Sequence, residues 1–88
     1  MVARTPTSLK GDNIQVGYWD VNEVQMSTND TVTLPDYSAS AGLVSVIVVK
    51  KSDMTTVTAS YLNNVVTLTQ AGLTNINLII FAAGVKAS

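Results

Sequence analysis

The chain has 88 residues, a formal net charge of −1, 47% hydrophobic but only 12% charged residues, and neither cysteine nor histidine. One domain is all this length allows, and a domain so small needs disulfides, a metal or association to supplement its core. Disulfides are excluded, the commonest transition-metal ligands are missing, and five basic residues without a cluster argue against nucleic acid, so association is the expected route.

Thr and Val together fill 24 of the 88 positions, and β-branched side chains favour the pleated, half-buried geometry of strands. Turn-forming residues recur at roughly 8–12-residue spacing, the cadence of a sandwich or barrel. Residues 1–12 read as an extended N-terminal arm, with Pro6 opposing regular pairing and Gly11–Asp12 marking a turn. A single β domain is expected over residues 13–88. Its first strand runs from Asn13 to Trp19 and its second from Asp20 to Met26, with a bulge or turn near Asp20. Ser27–Asp30 is a turn into a short strand, Thr31 to Leu34, which Pro35 ends. Residues 35–42 form a polar loop of small residues.

Leu43 to Lys50 (LVSVIVVK) is apolar on both faces, as in a strand covered on both sides or set in an interface. Lys50–Lys51 reads as its solvated end. Thr55 to Leu62 follows, and Asn63–Asn64 suits a type I′ hairpin because both residues tolerate positive φ. Val65 to Thr69 and a strongly apolar Ile76 to Ala83 complete an expected four-strand antiparallel meander over residues 43–83. The fold class is therefore all-β: a small antiparallel β-sandwich or jelly-roll-like barrel of about seven strands. The longest apolar stretch, Ile76 to Val85, is about half of the ~20 residues a spanning helix needs. No charged n-region with an apolar h-region opens the chain. A soluble product without an export signal or membrane partner is expected.

Chemistry is hard to find. Nucleophilic catalysis wants Ser, Cys or Thr beside a base, usually His, and Ser52 beside Lys51 reads as a turn residue next to a solvated lysine. Asp20, Glu23, Asp30 and Asp36 read as turn carboxylates that cap local backbone. They do not form a general acid–base pair or a calcium loop. Asn29–Asp30–Thr31 matches the glycosylation acceptor pattern but reads as a turn. The five glycines are scattered singly, so no phosphate loop exists. No enzyme, metal or cofactor is expected. Val46, Val48, Ile79 and Phe81 are the candidates for core and self-interface. Tyr18, Trp19 and Tyr37 are candidate interface aromatics, since exposed rings anchor partners or stack on sugars.

From Val44 to Val85 an apolar strand ending in lysines (VSVIVVKK), a Thr-rich strand (TTVTAS), a hairpin segment (LNNVVTLTQAGLTN) and a closing FAAGV follow in order. This pattern resembles small structural proteins of tailed bacteriophages, especially head decoration (cement) proteins and β-rich head-fibre modules. The resemblance covers about half the chain and rests on pattern; no family binding residue maps onto a position here. It implies a homotrimer on the outer capsid surface of the virion, made in the host cytoplasm, that clamps major capsid protein subunits. Arg4 and Lys10 of the arm are then the candidates for shell contact. The alternative is a tail-fibre or spike module that binds host glycan through Tyr18, Trp19 and Tyr37.

Overall fold

The computed structural model describes residues 2–14 and 17–87, among which there is no helix. Nine strands occur: β1 (Ala3–Arg4), β2 (Thr7–Ile14), β3 (Gly17–Met26), β4 (Thr31–Thr33), β5 (Leu43–Lys50), β6 (Thr56–Val57), β7 (Ala59–Leu62), β8 (Val65–Leu68) and β9 (Ile76–Gly84). They form a four-stranded sheet in the order β1-β4-β8-β7 and a five-stranded sheet in the order β2-β3-β9-β5-β6, and no closed barrel results. All pairs are antiparallel except β1 with β4.

Alternation along β3 and β9 builds the core. Tyr18, Val24 and Met26 point inward from β3, and Leu78, Ile80 and Ala82 point inward from β9. Val32, Val66 and Leu68 of the four-stranded sheet, with Leu34 just after β4, join the same cluster, each at 1% exposure or less. Two sheets with one face each against a shared core give a sandwich-like arrangement. The strongest pairing runs through the centre of the five-stranded sheet, where β3 is in register with β9 from Tyr18↔Gly84 to Met26↔Ile76. At the end of β9 the backbone of Gly42 passes so close to Gly84 that a Cβ there would collide with the Gly42 carbonyl. That carbonyl accepts the Val85 N–H at 2.7 Å.

Several expectations are corrected. The segment read as a free arm pairs in both sheets, as β1 and most of β2, and Gly11–Asp12 lies inside β2. Gly11 is there because the ring end of Tyr18 packs over it, leaving no room for a Cβ. The break expected near Asp20 does not exist, since β3 runs through it; Gln15 and Val16 lie outside the described residues. The bulge falls instead in the β2–β3 ladder, between Ser8 and Lys10.

Residues 43–83 are not a meander. β5 pairs with β9 and β6, whereas β7 and β8 pair with each other in the other sheet. The chain changes sheet at Thr58, where Gln70 bonds it: Thr58 N–H donates to Gln70 Oε1 at 3.1 Å and Gln70 N–H donates back to the Thr58 carbonyl at 3.0 Å. The two-residue hairpin at Asn63–Asn64 forms as expected in place, but of the two only Asn63 takes positive φ (58°). Its carbonyls accept Leu34 and Leu43 N–H groups at 2.8 and 2.6 Å, which docks the hairpin tip against both neighbouring segments.

Candidate self-association surface

The outer face of the five-stranded sheet is the unusual part of the molecule. An antiparallel sheet with one face on the core normally presents polar side chains on the other. Register instead places Trp19 beside Ala83 and Ser45, Val21 beside Phe81 and Ile47, and Glu23 beside Ile79 and Val49. One apolar row, Val21–Phe81–Ile47, therefore crosses three adjacent strands, and the rows on either side of it are each apolar on two of them. Ile47 is 53% exposed and Phe81 37%. Ser45 and Ala83 are short and stand among bulkier Trp19, Ile47 and Phe81, which leaves a shallow depression of about 340 Å³. At the rim, Lys51 Nζ meets Glu23 Oε2 at 2.9 Å.

This placement divides the expected core and interface residues. On β5, Val46 and Val48 share the inner face, Val48 buried and Val46 half-buried against the core. On β9, Ile79 and Phe81 share the outer face, Ile79 covered by its neighbours at 8% exposure and Phe81 open. Strand alternation gives each pair a common side but cannot say which side is inward. Val21, Ile47 and Ala83 were not among the candidates. The two-sided apolarity of LVSVIVVK was the available signal for Ile47; for Val21 and Ala83 the cross-strand register was needed.

The aromatic candidates separate in the same way. Trp19 is half-exposed on the outer face. Tyr18 and Tyr37 are buried at 7% and 1% exposure and pack edge to face, ring centroids 5.4 Å apart, so the three rings do not form a surface platform. Tyr37 donates to Asp20 Oδ1 at 2.8 Å in the interior. Burial, reinforced by that bond to a carboxylate, pushes the Tyr37 phenol well above its ordinary range. Asp20 is thus a buried mid-strand partner at 2% exposure, not the expected turn residue. Asn22, next inward on β3, is also buried, and its Nδ2 has no hydrogen-bond partner among the described residues. Lys86 stands 5.1 Å over the Tyr18 ring, a cation–π contact that closes this end of the core.

Arg4, expected to face a shell, is engaged within the chain. Its Nη2 lies 2.6 Å from Asp30 Oδ2 and its Nε donates to the same oxygen at 2.8 Å. Asp30, 3% exposed, also accepts Ser27 N–H at 2.9 Å and Val2 N–H at 3.0 Å. The Ser27 backbone bond, joined by those from Arg4 and Val2, holds the Asp30 carboxyl below its ordinary range despite burial. Lys10 pairs in register with Val21, but its side chain lies outside the described residues. Among the described residues no cluster of three His, Cys, Asp or Glu could hold a metal, and no helix is long and apolar enough to cross a membrane. No protein-family model matches the chain, and neither a curated protein nor a solved structure is found to be similar to it.

Proposed function

We propose that the chain is a non-enzymatic structural protein that self-associates through the outer face of its five-stranded sheet. The observation that carries this reading is the contiguous apolar surface of Trp19, Val21, Ile47, Phe81 and Ala83, in a chain with too few charges to solvate it. Exposed patches of this kind on small domains mark association surfaces. The four carboxylates weighed for catalysis have structural partners: Asp20 holds Tyr37, Asp30 holds Arg4, Glu23 holds Lys51 and Asp36 accepts the Tyr18 hydroxyl at 3.3 Å. Each is committed to folding, which supports a role without chemistry.

Within this reading, two sheets packed face to face form a rigid β-sandwich, and the module is a homotrimeric decoration or cement protein on the outer surface of a virion head. The trimer and the major capsid protein as partner come from the resemblance of residues 44–85 to tailed-phage decoration proteins. A stiff β module that covers its own apolar face by closed symmetry leaves the remaining surface for a lattice. Sedimentation velocity at micromolar concentration tests the self-association: the wild type should run as a multimer and an Ile47→Asp/Phe81→Asp variant as a folded monomer. A monomeric wild type refutes it. Co-sedimentation with assembled tailed-phage heads tests the shell; protein left entirely in the supernatant refutes that part alone.

A further inference from the structure

The Val2–Arg4 segment sits on its receptor in a way that suits exchange between copies. β1 contributes only two residues to the parallel ladder, Ala3 opposite Thr31 and Arg4 opposite Val32. Its docking is polar. Val2 is 52% exposed, so little apolar burial holds it. What holds it is Val2 N–H on Asp30 Oδ1 (3.0 Å), the Arg4 guanidinium on Asp30 Oδ2, and Thr31 N–H on the Val2 carbonyl (2.8 Å). Arg4 Nη2 also reaches Asn75 Oδ1 at 3.3 Å.

The receptor is pre-built without the strap. Asp30 is pinned by Ser27 N–H of its own turn, and β4 is anchored through Val32 and through Leu34 just after it, both fully buried. If the strap leaves, it uncovers a sheet edge flanked by a carboxylate: an acceptor for an extended segment carrying an arginine two residues after a backbone N–H. The strap joins β2, which lies in the other sheet, through Thr5–Pro6 alone. Pro6 fixes its own φ and keeps Thr5 extended. Thr5–Pro6 therefore carries the chain in an extended form from the sheet of β2 to that of β4, and short constrained hinges favour exchange of the element they carry.

The geometry points to strap exchange: in the assembled protein, Val2–Arg4 of one copy docks on β4 and Asp30 of a second copy. This rests on the reading of the chain as self-associating, and adds a linkage distinct from the outer sheet face. The absence of cysteine makes a direct test available. Full-length Ala3→Cys and Thr31→Cys chains, each checked for native circular dichroism, are mixed at micromolar concentration, oxidised and resolved without reductant. The expected product is a covalent heterodimer whose digest contains the peptide of the Ala3→Cys chain disulfide-linked to that of the Thr31→Cys chain. Its yield should fall at least tenfold when Asp30→Asn is added to the Thr31→Cys chain.

Symmetric homodimers alone, or a heterodimer indifferent to Asp30→Asn, overturn the proposal. Should Thr31→Cys fail to fold, a fluorescent peptide of residues 1–6 is titrated into the full-length Arg4→Ala chain, whose own strap has lost its guanidinium contact with Asp30. A saturable anisotropy rise, lost in the Arg4→Ala peptide, supports exchange, and a flat response into the millimolar range overturns it. A wild type that sediments as a multimer while both tests fail removes strap exchange and leaves the association reading intact. A monomeric wild type removes the latter.

Discussion

Replacing Tyr37 with Phe isolates one buried hydrogen bond. The ring stays, so the apolar burial and the edge-to-face contact with Tyr18, at 5.4 Å between centroids, are retained. What is lost is the hydroxyl that donates to Asp20 Oδ1 at 2.8 Å, with both residues at 2% exposure or less. A hydrogen bond to a charged group contributes about 1.5–3 kcal/mol, and its loss leaves a buried carboxylate oxygen short of a donor. A destabilisation of about 2 kcal/mol is expected, which for a domain of this size lowers Tm by about 8–16 °C. Equilibrium urea unfolding followed by Trp19 fluorescence, with calorimetry to check for two-state behaviour, measures it. A double-mutant cycle with Asp20→Asn should return a coupling of about 1 kcal/mol or more, since the two groups are in direct contact. Tyr61→Phe serves as the control. Its hydroxyl donates to the Val44 carbonyl at 2.8 Å at the surface, where water replaces it, and a cost of about 0.5 kcal/mol is expected. A Tyr37→Phe variant within about 0.5 kcal/mol of wild type, or a strictly additive cycle, refutes the assignment of Asp20–Tyr37 as the polar tie of the core.

Leu78→Ala removes a fully buried side chain from the centre of β9 and should cost about 2–5 kcal/mol in the same assay. Gly84→Ala drives a methyl group into the Gly42 carbonyl; a loss of about 1–3 kcal/mol is expected, beyond any gain from a stiffer unfolded chain. Because the folded state holds the Asp30 carboxyl below its ordinary range, its contribution is present above about pH 4 and fades as pH falls through the lower folded value. The Tm gap between wild type and Asp30→Asn should therefore be open at neutral pH and close in strong acid. Tyr37 behaves oppositely: its raised folded value gives stability that is intact below about pH 10 and declines as pH rises further, where the unfolded phenol ionises first. Wild type should lose Tm there faster than Tyr37→Phe.

Strand identity was largely legible in the residues themselves, and most strands are where β-branched density and turn residues put them. The pairing was not. LVSVIVVK and INLIIFAAG announce themselves as strands, yet nothing in either string says that they are neighbours, or that Ala59–Leu62 turns away into the other sheet at Thr58. Residues 7–12 read as part of an extended arm because Thr, Ser, Lys and Asp give them no hydrophobic period; they belong to an edge strand, stabilised by backbone pairing to β3, which composition does not report.

By itself, the sequence determined that this protein is built of β-strands, lacks staples and carries too little charge to solvate its surface, because those properties are sums over residues and need no geometry. Only the tertiary structure decided which apolar residues are core and which are surface. Val48 and Phe81 are alike in hydrophobicity, but strand alternation together with the position of the second sheet buries one and leaves the other open at 37%. The aspartates followed the same rule. Asp20 and Asp30 are short acids beside β-formers in the string; a tyrosine hydroxyl from the 35–42 loop and an arginine 26 positions away make them the polar ties of the fold. Contacts between residues so distant in the chain come from chain path, which local preference does not encode.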